Sequence, residues 1–159
     1  MARRDFYFGR AGQMVVMAEF LRRGYNAAIP EIDMGDDIFV IEDSTGKLSR
    51  IQVKSATDIG KRCVRARFGV SRKQLETVRQ PELWYVFTVY GRGLWREFLI
   101  IRRDRLQELQ DMEGIGSPSQ RRKPQINFYL SFHEKDVRSK GVSLQQYRHN
   151  WSAWPEIVP

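Results

Sequence analysis

Gly35-Asp36-Asp37-Ile38-Phe39-Val40-Ile41-Glu42, the reversal Asp43-Ser44-Thr45-Gly46, and a second apolar run from Leu48 that ends Ile51-Gln52-Val53-Lys54-Ser55 form one continuous stretch. Two β-branched and aromatic runs joined by a short polar turn predict a hairpin, with one strand over 37–42 and the next over 48–55. Side chains alternate across a strand, so Gln52 and Lys54, two apart, point to the same face. Asp37 opens the partner strand beside them. Asp33 and Asp36, in the Asp33-Met34-Gly35-Asp36 segment, read as turn formers.

Outward from the hairpin, the pattern stays that of one mixed sheet with helices. Met14, Met17, Ala18 and Leu21 recur at helical spacing, which predicts a helix from Gly9 to Arg23 that stops at Gly24. A short strand is expected over 25–29. Residues 62–68 alternate strictly, Cys63, Arg65 and Arg67 on one face and Val64, Ala66 and Phe68 on the other, the signature of a half-exposed strand with a basic outer side. Ser71 is placed to cap a helix running to about Arg79. The run Leu83-Trp84-Tyr85-Val86-Phe87-Thr88-Val89-Tyr90 is apolar almost throughout, as expected of a central strand covered on both faces. Further strands are expected over 97–102 and 126–132, and helices over 104–112 and 143–147. The predicted class is α/β, a mixed β-sheet flanked by α-helices, in a single domain over 1–159.

Composition narrows the function. The 159 residues carry 27 Lys and Arg against 19 Asp and Glu, a net charge of +8. A basic chain points to a polyanionic partner. The charge is unevenly placed: residues 26–59 hold seven acids and three bases, and residues 60–80 hold seven bases and one acid. That pattern suits an enzyme that holds a cation with carboxylates and phosphates with the surrounding bases. The single cysteine, Cys63, excludes an intramolecular disulfide and multi-cysteine metal sites. His133 and His149 lack metal-ligand spacing with each other or with Cys63. Gly9-x-x-Gly12 lacks the Lys-Ser/Thr pair of a phosphate loop. No apolar run approaches the ~20 residues of a membrane span, and Met1-Ala2-Arg3-Arg4-Asp5 is not followed by a secretory apolar stretch. A cytoplasmic location is the expectation.

Three oxygen-bearing side chains, Glu19, Asp37 and Gln52, are expected to converge with Lys54 at one sheet edge. Hard divalent cations take such oxygen donors and keep several waters. A lysine beside them can position an attacking water or stabilise the charge that develops on a phosphoryl group. The ordered set of a helical Glu19, the Gly35-Asp36-Asp37 turn before Ile38-Phe39-Val40-Ile41, and Ile51-Gln52-Val53-Lys54-Ser55 resembles the PD-(D/E)XK nuclease superfamily over residues 9–56. The element order α-β-β-β-α-β extends the resemblance to Tyr90. The QxK form is similar to that of Holliday-junction-resolvase-like members and of group I intron homing endonucleases.

The resemblance implies a restriction-endonuclease-like fold and a metal-dependent DNA endonuclease acting by in-line water attack. It implies that Asp37 and Gln52 bind Mg²⁺, with Mn²⁺ as a substitute. Lys54 is then catalytic, and Glu19 assists at the metal through water. Two departures stand: no proline directly precedes the acid pair, and Gln52 replaces the commoner acidic residue. The competing expectations are a catalytically inactive nucleic-acid-binding module on the same fold, and a basic adaptor protein. Lys61, Arg62, Arg65, Arg67, Arg72 and Lys73 are expected to form a phosphate track, with Arg121, Arg122 and Lys123 in a DNA-contacting loop. A single site cuts one strand, so a homodimer or higher oligomer is expected.

Overall fold

The computed structural model describes residues 2–32, 34–121 and 124–157. The chain opens with α1 (Ala2–Arg22), which starts seven residues before the periodic stretch that predicted it. It continues through β1 (Asn26–Ala28), β2 (Ile38–Glu42), β3 (Lys47–Thr57), β4 (Val64–Ser71), α2 (Arg72–Glu76), β5 (Leu83–Gly91), β6 (Leu94–Arg102) and α3 (Arg103–Glu113). The last third holds β7 (Ser117–Pro118), β8 (Gln125–Phe132), β9 (Val137–Ser139), β10 (Val142–Ser143) and a 3₁₀ turn over Gln145–Tyr147. Among the described residues, no helix is long and apolar enough to cross a membrane.

The central sheet is mixed and has the order β1-β2-β3-β5-β6, with β3 and β5 parallel and the other pairs antiparallel. β5 lies inside this sheet and is covered on both sides, as its unbroken apolar run predicted. On one face Ile51, Val53, Val86, Phe98 and Ile100 pack against Val16 and Phe20 of α1 and against Trp151 and Trp154 of the C-terminal segment. On the other face Tyr85, Phe87, Leu99 and Ile101 meet Leu75 of α2 and Leu106 and Leu109 of α3. That second face is also covered by Ala66, Phe68 and Val70 of β4 and by Ile126, Phe128 and Leu130 of β8.

Those last strands do not belong to the central sheet. β4 pairs with β8, and a second, antiparallel sheet runs β10-β9-β8-β4 with β7 also on β8. The expectation of one sheet is corrected here, and the reason is hydrogen-bond valence. β3 has β2 on one edge and β5 on the other, so β4 finds no free edge and folds across the face. The crossover is tight. Asp58 Oδ1 accepts from Gly60 N at 2.8 Å and Arg65 N at 3.0 Å, which fixes the loop that sends β4 over β3. The alternation read over residues 62–68 survives the move, with Ala66 and Phe68 buried and Arg65 and Arg67 exposed. Two smaller differences follow from local chemistry. Ser71 caps α2 by accepting from Gln74 N at 3.3 Å, but the helix ends at Glu76. Lys140 and Gly141 both have positive φ and close a β9–β10 hairpin, so Ser143 lies on a strand rather than opening a helix.

Candidate active site

Asp37 stands at the mouth of β2, tied to β3 by its N–H on the Ile51 carbonyl at 2.8 Å. Gly35, two residues earlier, has φ +89°, a left-handed conformation that a side chain strains. This turn aims Asp36 and Asp37 apart. Asp36 is buried against Arg50 at 2.7 Å, with Arg79 at 3.7 Å, and so anchors the turn. Asp37 faces the cleft. Its Oδ2 accepts from the Val53 N–H at 2.7 Å and from the Gln52 side-chain amide, and its Oδ1 accepts from Gln13 Nε2 at 2.7 Å.

The Gln52 amide is held from behind. Gln74 Nε2 donates to Gln52 Oε1 at 2.7 Å and to the Gly35 carbonyl at 2.6 Å, and the Tyr85 hydroxyl donates to Gln74 Oε1 at 3.2 Å. Burial pushes the Tyr85 phenol well above its usual range, so it remains a donor throughout the physiological range. A relay therefore runs from Tyr85 through Gln74 and Gln52 to Asp37. Lys54, two residues after Gln52 on the same face of β3, lines the same cleft, which has a volume of about 710 Å³. α1 contributes Asp5, Phe8, Gly9 and Gln13 to this cleft, and the second sheet contributes Arg67 and Tyr129.

Gly12 sets where α1 meets β3. A Cβ at that position would stand 1.9 Å from Ser55 Oγ, so only glycine permits this closeness, and the approach delivers Gln13 to Asp37. Glu19 does not reach the cleft. It lies further along α1, where it accepts from Arg22 at 3.0 Å with Arg23 at 3.7 Å. The expectation that Glu19 joins Asp37 is corrected: six residues of helix, about 9 Å of rise, separate it from Gln13. Gln13 takes the position beside the carboxylate.

The basic residues divide among several surfaces. Arg67 lines the cleft and, with Arg121, a neighbouring groove of about 730 Å³. Arg65 shares the outward face of β4. Lys61 and Arg62 line a separate hollow with Arg92, Arg96 and Arg148. Arg72 pairs with Glu76 at 3.7 Å on the surface of α2, where Lys73 is also exposed. Arg122, Lys123 and Asp33 lie outside the described residues. Among the described residues no group of three His, Cys, Asp or Glu side chains is placed to hold a metal ion.

No protein-family model matches the chain, and none of the curated proteins does. Among solved structures the chain is similar to the bacterial homing endonuclease I-Ssp6803I, with a TM-score of 0.58 and 17% sequence identity over 92% of this chain and 90% of that one. The two proteins share a fold. The mixed sheet flanked by helices matches the predicted class.

Asp5, Gln13 and Gln74 were not anticipated. A helical glutamine has no sequence signature that separates it from a solvated one. Asp5, Gly9 and Gln13 nevertheless recur every four residues, the spacing of one helix face, and that face is the one on the cleft.

Proposed function

We propose that this protein is a divalent-metal-dependent DNA endonuclease that cleaves at the cleft between β3 and the second sheet. The observation that carries this reading is the convergence of Asp37, Gln52 and Lys54 on one cleft with Arg67 facing them, in a fold shared with a bacterial homing endonuclease. The donor set suits a hard cation: Asp37 and Gln52 offer carboxylate and amide oxygen, and neither thiol nor imidazole is among the lining residues. Gln52 Nε2 faces Asp37, so a cation shared by the two requires the Gln52 amide to turn over. Such an ion, Mg²⁺ or Mn²⁺, supplies Lewis-acid polarisation of a phosphoryl oxygen and an acidified water.

The protein's own groups do the rest. Lys54 offers an ammonium to the charge that develops on the scissile phosphate and orients the attacking water. Gln13 and the Val53 N–H hold the Asp37 carboxylate in one orientation. Arg65 and Arg121 carry phosphate contacts beside the outer sheet face, Arg67 faces the duplex between them, and Lys61, Arg62, Arg72 and Lys73 extend the phosphate contacts. A duplex cut at both strands requires two such sites, hence a homo-oligomer.

One observation favours a second reading, a catalytically inactive DNA-binding module. Asp37 already accepts three hydrogen bonds within the protein, so its charge is stabilised without a cation. Nicking of supercoiled and branched DNA in Mg²⁺, Mn²⁺ and EDTA separates the two. The endonuclease cuts only with metal, loses cleavage but not DNA binding in Asp37→Ala, and slows by about 10²–10⁴-fold in Lys54→Ala. Glu19→Ala cuts as the parent does. Cleavage that persists in EDTA refutes the metal mechanism, and no cleavage of any DNA by the parent leaves the binding module.

A further inference from the structure

Beside the cleft, the outward face of the second sheet is a row of polar side chains in fixed register. Arg67 pairs with Tyr129, Gly69 with Asn127, and Ser71 with Gln125 across β4 and β8. Gly69 is a keyhole. A Cβ there would stand 2.1 Å from Gln125 Nε2, so the glycine lets the Gln125 side chain lie flat across the strand. In that position Gln125 Nε2 donates to Asn127 Oδ1 at 2.7 Å. The locked amide pair lines the groove of about 730 Å³ into which Arg67, Arg121 and Tyr129 also project. Tyr129 is half exposed on the same face.

β7 flanks β8 at Ile126 and Asn127 and β9 flanks it from Ser131, so the ribbon narrows to the two strands β4 and β8 at Tyr129, the register position of Arg67. Two strands about 5 Å apart with upright side chains fit a DNA major groove, which is about 12 Å wide, and not the minor groove at about 6 Å.

From these observations we infer that the outward β4–β8 face reads base edges in the major groove, Gln125, held by the buried Asn127, reading adenine and Arg67 reading guanine. The proposal rests on the DNA-cleaving reading above and adds where sequence choice resides. An amide offers a donor and an acceptor side by side and matches N7 and N6 of adenine; a guanidinium matches O6 and N7 of guanine. Locking the amide pair in advance removes the ordering cost that a free glutamine carries into binding. Arg65 and Arg121, toward the ends of the ribbon, meet phosphates and fix its register along the duplex.

The test is selection of the full chain on a randomised duplex pool in EDTA, followed by competition between the selected duplex and its single-base-pair variants. The parent should select a defined sequence. Gln125→Ala and Asn127→Ala should lose about 10–100-fold discrimination at one A·T pair and keep the rest. Gly69→Ala should lose preference at the same pair without touching a reading group, because it displaces Gln125. It also keeps the test decisive if Asn127→Ala fails to fold. Arg67→Ala should lose preference at a different, G·C pair, and Arg121→Ala should weaken all duplexes alike. A parent that selects no sequence overturns the inference, and so do variants that retain its preferences or weaken every duplex uniformly. Metal-dependent nicking is scored separately. Nicking without base preference sinks this inference alone, whereas base preference without nicking sinks the endonuclease reading alone.

Discussion

Gln52→Glu places a second carboxylate beside Asp37 and should make the stability of the fold depend on metal. Gln52 donates to the Asp37 carboxylate and accepts from Gln74 in a nearly buried setting. The substitution replaces that donated hydrogen bond with a second carboxylate in contact with the first. Two unit charges ~4 Å apart at an effective dielectric near 20 repel by about 4 kcal/mol. Taking up a proton instead costs about 1.4 kcal/mol for each pH unit above the ordinary glutamate value near 4.3, again ~4 kcal/mol at pH 7. Side-chain relaxation reduces this to roughly 2–4 kcal/mol, which at about 2–4 °C per kcal/mol for a chain of this length lowers the melting temperature by about 5–15 °C. A cation between the carboxylates removes the repulsion, and binding at 100 times Kd returns about 2.7 kcal/mol. The assay is thermal unfolding of parent and variant in EDTA and across a Mg²⁺ series, repeated at falling pH. The new carboxyl has a raised pKa in the fold, so its destabilisation is present above the unfolded value and vanishes as pH falls below it. Equal melting of the two proteins in EDTA at pH 7, or an equal response to Mg²⁺, would refute the reasoning.

Gln74→Ala breaks the relay behind Gln52 and leaves the buried Tyr85 hydroxyl unpaired, which should cost about 1–3 kcal/mol in urea unfolding. Because the turn that presents Gln52 Oε1 to a cation breaks its bond from Gln74, the Mg²⁺ needed for half-maximal cleavage should not rise in this variant. Adding Tyr85→Phe should recover stability. Glu97 provides the pH dependence of the C-terminal segment. Burial pushes its carboxyl up, but His149 and the paired Arg148 outweigh burial and hold it below the usual 4.5. That stability is present above 4.5 and is lost as pH falls through the lower, folded value. Melting temperatures between pH 3 and 7 should therefore fall less steeply on the acid side in Glu97→Gln, and parallel curves would contradict this.

Much of the fold was legible because strand period and turn chemistry are local. Asp37, Gln52 and Lys54 were placed on one face by counting along β2 and β3, and β5 was placed inside the sheet by its unbroken apolar run. Membership of β4 in a second sheet was not legible. Its partner β8 lies some sixty residues away, and whether β3 has a free edge depends on where β5 docks. Glu19 shows a different limit. Helical periodicity predicted the stripe Met14, Met17, Ala18 and Leu21 as the packed face of α1, and this is corrected: Met14, Ala18 and Leu21 are exposed, and Gly12, Val16 and Phe20 are buried. The reason is that Val16 and Phe20 share one helix face with Gly12 at four-residue spacing. Periodicity is also silent on position along the axis. That position was recorded in Gly12, whose missing side chain marks the contact with Ser55. Gln13 follows directly from Gly12 and Asp5 from the same helix face, whereas Gln74 depends on tertiary approach alone.

The charge map acquires a physical meaning from the two-sheet arrangement. The acid-rich residues 26–59 end with β3, and the base-rich residues 60–80 begin with the loop that carries β4 across it. A change of charge between neighbouring stretches of sequence thus becomes two opposed walls of one cleft, Asp37 and Gln52 on one side and Arg67 on the other. On the proposed reading, metal dependence belongs to β2 and β3, and salt dependence belongs to β4 and β8. Because these walls are built on different sheets, substitutions that alter one need not disturb the other. Asp37→Ala should leave the slope of log K against log salt unchanged, and Arg65→Ala should lower it by about one without moving the Mg²⁺ requirement.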